Sequence, residues 1–243
     1  MIKNSFSHKF DVKIDDVGFD KNIFPKKLME EMQIIATLSA DELGFGYGAL
    51  RPNNLAWTIN RIKVELLSDI GVGELEFTTW PLAPKHFTCD RDFFALNAKG
   101  ERVLQAISSW NVFDLKERSL CSTKAIAQLD KSYSEERAMQ DINYQRVVLD
   151  KSYDYICSHT VMLSDLDVND HVNNTHYINY AVNCLTKEEY LKKIACFEIK
   201  FQRELKLGQT LKLFLKREEK KRFIVGKREE DVVFSACIYL KND

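Results

Sequence analysis

Asp165-Leu-Asp-Val-Asn-Asp-His-Val-Asn-Asn-Thr-His-Tyr177 crowds carboxylate, amide and imidazole side chains into one short stretch, and an apolar run from Tyr177 to Leu185 follows at once. Asn and Asp are favoured helix caps and turn formers. One reading is therefore a loop that caps a helix beginning near Asn173. The other reading is chemical. Asp167, Asn169 and His171 stand at alternate positions, and in an extended loop that spacing points three side chains the same way. Such a group suits the orientation of a water or a carbonyl at the start of a helix.

Around this loop the second half reads as strand, loop, helix and then strands. Tyr153–Leu163 has the strand pattern, the helix runs from about Asn173 to Leu185, and Lys187–Lys192 reads as a second short helix. Strand candidates follow at Cys196–Leu205, Thr210–Arg217, Arg222–Glu229 and Val232–Leu240, with turns at Gly208 and Glu229–Asp231. The first half repeats the order. Phe10–Ile14 is strand-like, and Pro25 sits where a helix starts well. Leu28, Met32, Ile35 and Leu38 recur at helical spacing until the glycines from Gly44 stop the helix. Leu55–Leu66, Glu74–Leu82, Thr88–Asn97 and Val103–Asp114 then read as strands of an antiparallel meander, with a turn at Ala98–Gly100.

The expected fold class is α+β, with a helix wrapped by a curved antiparallel sheet occurring twice. A single such unit leaves a sheet edge open that a neighbour can pair, so a monomer or a homodimer is expected. The polar stretch Lys131-Ser-Tyr-Ser-Glu-Glu-Arg137 reads as a linker. This divides the chain into residues 1–130, a linker at 131–145, and residues 146–243.

Composition narrows the function. Of 243 residues, 45% are hydrophobic and 29% charged, an ordinary globular balance. A net charge of −1 argues against nucleic-acid binding by phosphate neutralisation. The short basic clusters Lys216-Arg217 and Lys220-Lys221-Arg222 read as a solvated hairpin end. No stretch approaches the roughly 20 apolar residues of a membrane span. Met1–Ser7 lacks the features of a secretory signal, so a cytoplasmic location is expected. Cys89, Cys121, Cys157, Cys184, Cys196 and Cys237 form no CxxC pair. They read as reduced core thiols rather than a zinc site, and no metal or other cofactor is expected.

The polar loop resembles the signature of the acyl-acyl-carrier-protein thioesterases, the plant plastid enzymes and their bacterial relatives. Leu55-Ala-Trp-Thr-Ile-Asn-Arg-Ile-Lys-Val64 is similar to that family's Trp-Val-Leu-Asn-Arg-Met strand, and Phe201-Gln-Arg-Glu-Leu205 to its Tyr-Arg-Arg-Glu-Cys segment. Thr79-Trp80-Pro81 and Arg91-Asp92-Phe93 add weaker matches. The resemblance covers nearly the whole chain. It implies a tandem hotdog fold, with two long helices each wrapped by an antiparallel sheet. It also implies cleavage of fatty acyl thioesters on an acidic partner, acyl carrier protein. Carried over residue by residue, the catalytic set is Asp167, Asn169, His171 and Glu204. One position departs from the plant pattern: a cysteine once considered a nucleophile is here Leu205. A Cys–His mechanism at this site cannot then be required, and water attack assisted by a carboxylate becomes the expected chemistry.

In that scheme Glu204 is the general base and His171 and Asn169 position the water or the carbonyl. Asp167 orients Asn169 or His171, or alternatively attacks directly to form an anhydride. Backbone N–H groups near His171–Asn174 hold the oxyanion. The candidate substrate-binding residues are Met32, Trp57, Asn60 and Arg61 in the first half and Asn173 and Asn174 in the second. Core packing alone accounts equally well for Met29, Met32, Ile35 and Trp57, while an ion pair with Arg203 is the plain reading of Glu204 only when that residue is taken apart from the loop match. His176 reads as a helix-surface residue, Asp165 as a loop-shaping one, and His86 and His159 carry no partner signal.

Overall fold

A computed structural model describes residues 2–126 and 133–241. They form two compact units, the first Met1–Ile62 with Leu67–Ile142 and the second Lys63–Leu66 with Asn143–Asp243. Lys131 and Ser132, the start of the expected linker, lie outside the described residues.

In the first unit Pro25 occupies the first turn of α1 (Pro25–Glu42), its fixed φ suiting that position. Gly44, at φ +82°, ends the helix in a left-handed conformation that only glycine adopts without strain. The buried face of α1 is Leu28, Met29, Met32, Ile35, Ala36, Ser39 and Ala40. Leu38, expected on that face, is instead 40% exposed, and the buried Ser39 takes its turn. Ser39 accepts a hydrogen bond at 3.0 Å from the buried Arg91, which also donates to Thr79 at 3.2 Å. The first of these bonds ties the helix to the sheet beneath it.

The sheet of this unit contains β1 (Phe6–Val12), β2 (Leu55–Leu66), β3 (Gly73–Pro81), β4 (Thr88–Asn97) and β5 (Arg102–Asp114). A four-residue helix α2 (Tyr47–Leu50) and a short strand β6 (Ser119–Cys121) add to the elements read from the sequence. The order across the sheet is β1-β3-β4-β5-β2, with β6 on β5. Only β3, β4 and β5 form the expected meander. β1 fills the free edge of β3, Phe6 opposite Thr79 and Val12 opposite Gly73, so β2 is left with β5. The segment after residue 132 is pinned to this unit. Asp92, fully buried, accepts two hydrogen bonds from Arg137 at 2.9 and 3.1 Å and one from the Ala138 N–H at 2.7 Å.

The second unit repeats this permutation. Its strands β7 (Asp154–Thr160), β8 (Ile194–Phe201), β9 (Thr210–Glu218), β10 (Lys221–Arg228) and β11 (Asp231–Leu240) run in the order β7-β9-β10-β11-β8. The duplication is therefore one of sheet topology as well as of element order. Its helix is shorter than the apolar run from Tyr177 suggests: α3 spans His176–Val182, seven residues. The chain then turns, and Thr186 and Glu189 form a capping box that starts α4 (Lys187–Leu191). The basic hairpin end is only partly solvated. Arg222 is buried, and it and Arg217 both donate to the Glu189 carboxylate, at 2.7 and 2.9 Å.

Candidate functional site

The polar loop runs from β7 to α3 and is built on main-chain hydrogen bonds. Asp167 N–H donates to the His171 carbonyl at 2.8 Å, and Asp170 N–H to the Asp167 carbonyl at 3.1 Å, with Asp170 at φ +61°. Val172 N–H reaches the Leu205 carbonyl at 2.9 Å, and Asn173 N–H the Asp165 carbonyl at 2.9 Å. The Val172 bond sets the loop beside the residue that follows Glu204. As a result His171 Nε2 lies 3.3 Å from Glu204 Oε2, their side chains 25% and 60% exposed. Glu204 turns its carboxylate to the imidazole rather than only to neighbouring cations.

Asp167 joins this pair through the backbone. Its carboxylate accepts the Asn169 N–H at 2.8 Å, so it shapes the turn that presents Asn169 and His171. Val168 between them is 99% exposed, which marks the open side of the loop. The exposed Asn169 side chain makes no hydrogen bond among the described residues. The oxyanion donors narrow as well. Within His171–Asn174 the N–H groups of Val172 and Asn173 are already used, which leaves those of His171 and Asn174. The Asn173 side chain is engaged in shaping the helix start, where its oxygen accepts from the Thr175 N–H at 3.0 Å and hydroxyl at 2.9 Å.

Beneath the loop lies Tyr177, 2% exposed, edge-on to Tyr180, Phe201 and Phe234 at centroid distances of 5.8, 5.6 and 5.3 Å. Burial raises its phenol pKa, and the nearby charges of Glu204 and Asp167 push in the same direction. It stays protonated as a rigid floor to the site. Leu205 is fully buried. Burial pushes the thiols of Cys89, Cys184 and Cys237 up to about 12, so these are not thiolates at neutral pH.

The first-half candidates belong to the other unit. Met32 is 1% exposed on the core face of α1. Trp57 donates its indole N–H to the Phe45 carbonyl at 2.9 Å and meets the Phe45 ring edge-on at 6.2 Å. On β2, Trp57 and Arg61 share one face and Asn60 takes the other, since neighbouring strand residues alternate. Asn60 and Arg61 therefore point to opposite faces of the sheet and cannot line the same side.

Sequence reading missed a cluster at the root of the loop. Asp165, 6% exposed, accepts from the Met162 N–H at 2.9 Å and bonds His159 Nε2 at 2.8 Å, while His176 Nδ1 lies 3.2 Å from its other oxygen. His176 is thus a partner of a buried carboxylate rather than a plain surface residue, and His159 has a partner after all. Burial alone would raise the Asp165 pKa. The Met162 N–H, the His159 hydrogen bond and the charges of both imidazoles outweigh it and hold the carboxyl below its ordinary range. A carboxylate with a depressed native pKa contributes stability above its unfolded value, near 4, and loses that contribution as pH falls through the native value. Urea unfolding between pH 2 and 6 is therefore expected to show the stability gap between wild type and Asp165→Asn closing as the pH falls. A gap that widens toward acid contradicts this assignment.

The loop has a counterpart in the first unit that makes the cluster recognisable. Gly18 N–H donates to the Asn22 carbonyl at 2.8 Å, Lys21 sits at φ +61°, and Ile23 and Phe24 N–H groups reach the carbonyls of Ile70 and Asp16 at 2.8 and 2.9 Å. Each matches a bond of the second loop. Asp16 accepts the Lys13 N–H at 2.9 Å as Asp165 accepts that of Met162. Gly18, Asp20, Asn22 and Asp69 therefore stand where Asp167, Asn169, His171 and Glu204 stand. The first copy keeps the loop geometry and lacks the imidazole. Aligning the two halves on Asp16 and Asp165 is the sequence signal that exposes both facts.

Two helix-on-antiparallel-sheet units with the same strand permutation define the double hotdog class, with an imidazole–carboxylate pair in the second unit. The family model for the "Acyl-ACP thioesterase N-terminal domain" matches residues 3–126, and that for the "Acyl-ACP thioesterase C-terminal domain" matches residues 150–238. The chain belongs to the acyl-ACP thioesterase family. It is 28% identical over 188 residues to a chloroplastic palmitoyl-acyl carrier protein thioesterase of Gossypium hirsutum, a match covering 72% of this chain and 46% of that protein. The chain thus spans about half the length of the curated relatives it matches. Its fold matches a Bacteroides thetaiotaomicron acyl-ACP thioesterase at 21% identity and a TM-score of 0.90, covering 98% of each chain. It also matches the 12:0-ACP thioesterase of Umbellularia californica at 20% identity and a TM-score of 0.89, covering 100% of this chain and 99% of that one. Among the described residues no helix is long and apolar enough to cross a membrane.

Proposed function

We propose that this chain hydrolyses the thioester joining a fatty acyl chain to acyl carrier protein, releasing free fatty acid and the carrier thiol. The observation that carries this reading is the approach of His171 to Glu204 at 3.3 Å on a solvent-open loop, in a chain of this family. Glu204 takes a proton from water, and the resulting hydroxide adds to the thioester carbonyl. His171 and Asn169 orient the water or the carbonyl, and the N–H groups of His171 and Asn174 hold the tetrahedral oxyanion. The C–S bond then breaks, and the proton held by Glu204 passes to the leaving thiolate. Contacts of this kind are often long in the absence of substrate and tighten when it binds. Asp167 acts as the shaper of the turn, a role supported by its bond to the Asn169 N–H.

In this scheme the second unit, from about residue 146, supplies the chemistry, and the first, to about residue 130, holds the acyl chain among Met32, Trp57 and their neighbours. The six cysteines are unbridged, which supports a reducing compartment such as the cytoplasm.

The test is release of free thiol from palmitoyl and dodecanoyl thioesters of acyl carrier protein. The matching coenzyme A thioesters and an enoyl thioester run beside them. Hydrolysis of the carrier-protein thioesters at a higher kcat/KM than the coenzyme A forms is expected. A folded protein inert on every saturated chain but active on the enoyl thioester would replace hydrolysis with hydration. Single turnover in 18O-water is expected to place the label in the fatty acid. Label recovered in the peptide bearing Asp167 would establish direct attack by that carboxylate instead.

A further inference from the structure

The two loop copies differ in the side chains at and behind the root aspartate. In the first unit Asp16 faces Lys27 at 3.7 Å, and Lys27 also pairs with Glu31 at 3.0 Å and lies over the Phe10 ring, 4.9 Å from its centroid. The equivalent positions in the second unit are His176, Tyr180 and His159. A lysine beside one aspartate, with a glutamate and a phenylalanine around that lysine, gives way at the matching positions to two imidazoles and a phenol. The His159 and Tyr180 rings lie 4.6 Å apart at 35°, and the His176 ring is 6.3 Å from that of Tyr180. The Tyr180 hydroxyl is buried close to Asp165, and burial and that carboxylate both raise its pKa.

From this contrast we infer that Asp165, His159 and His176 form a positioning cluster for the His171–Glu204 pair. The inference rests on the reading of that pair as the reacting site. Asp165 grips both ends of the loop. Its carboxylate holds Met162 at the exit of β7 and His176 at the head of α3, and its carbonyl holds the Asn173 N–H. His159 braces the same carboxylate from β7. Asp167 to His171 are suspended between these anchors, with Val168 in open solvent. The root cluster therefore holds both ends of the loop whose Val172–Leu205 bond brings His171 to 3.3 Å from Glu204. None of the three cluster residues needs to touch substrate.

The experiment compares kcat, KM and thermal unfolding for H176A, H176K, H159F and D165N with those for K27A, the matched lesion in the copy without the imidazole. A displaced catalytic group costs on the order of 10- to 100-fold in rate. H176A and D165N are expected to lose that much kcat with KM within about threefold, since acyl binding is unchanged. H176K places the first copy's cation beside Asp165 and is expected to recover most of the loss from H176A. K27A is expected to lower the melting temperature without lowering kcat. Should D165N fail to fold, H176A and H159F carry the test.

Folded H176A and H159F with kcat within twofold of wild type would overturn the inference. So would a loss of kcat in H176A that H176K leaves untouched, or a kcat loss in K27A equal to that in H176A. If H171A itself keeps full activity, the site reading falls and takes this inference with it. If H171A is inactive while H176A is fully active, the inference alone falls.

Discussion

Alanine at His171 or at Glu204 is expected to lower thiol release from acyl-carrier-protein thioesters by about 100- to 10,000-fold, the usual cost of removing a positioned general base or its partner. The double variant is expected to lose little more than either single one, because groups that act as a unit are strongly non-additive. Neither change should unfold the protein. The two side chains are 25% and 60% exposed, and the loop is held by main-chain bonds that alanine leaves intact. Surface substitutions of this kind stay within about 0.5 kcal/mol in stability. Loss of rate with an unchanged melting curve is thus the signature of a catalytic pair. A folded Glu204→Ala variant within threefold of wild type would remove Glu204 from the mechanism. Attention would then shift to Asp167, the other carboxylate on the loop.

Glu189→Ala is expected to destabilise the second unit by about 3 to 5 kcal/mol, the cost of leaving a buried charge without its carboxylate partner. The Glu189 side chain is 11% exposed and that of Arg222 10% exposed, so the orphaned guanidinium cannot simply turn to water. Two further contacts go with it: the Arg217 bond, and the capping bond from the Thr186 N–H at 2.9 Å that starts α4. Burial by itself would raise the Glu189 pKa, yet its bonds to Arg217, the Thr186 N–H and Arg222 hold it below the ordinary carboxylate range. Glu189→Gln keeps an acceptor and the capping geometry and should cost less than half as much. Urea unfolding midpoints measure both. A Glu189→Ala variant within about 1 kcal/mol of wild type would mean that water reaches Arg222 freely.

The features that local chemistry decides were readable before any coordinates. Pro25 and Gly44 bracket α1 because one has the φ of a first helical turn and the other accepts a positive φ. The strand Leu55–Leu66 matches its expected limits, and Gly208 adopts the positive φ that its turn requires. The loop also announced itself, because a dense run of Asp, Asn and His has few uses beyond turn-making and chemistry. Where the sequence pattern failed, the deciding interaction came from far along the chain or from a local cap that periodicity does not register. The seven-residue α3 is cut short by a turn and a new cap at Thr186 that the apolar run does not reveal.

By itself, then, the sequence determined two copies of one strand–helix–sheet order, the family signature and the residues of the polar loop. Tertiary structure alone decided that β2 pairs with β5 rather than β3, because β1 had already taken the β3 edge. It alone brought His171 to Glu204 across 33 positions of sequence, through the bond from Val172 to the Leu205 carbonyl. It also gathered His159 and His176 on Asp165, and Arg222 on Glu189. Periodicity and composition report what each residue prefers to be near in kind. Which particular partner it meets is settled only when distant strands compete for the same edges and buried charges must find their counterparts.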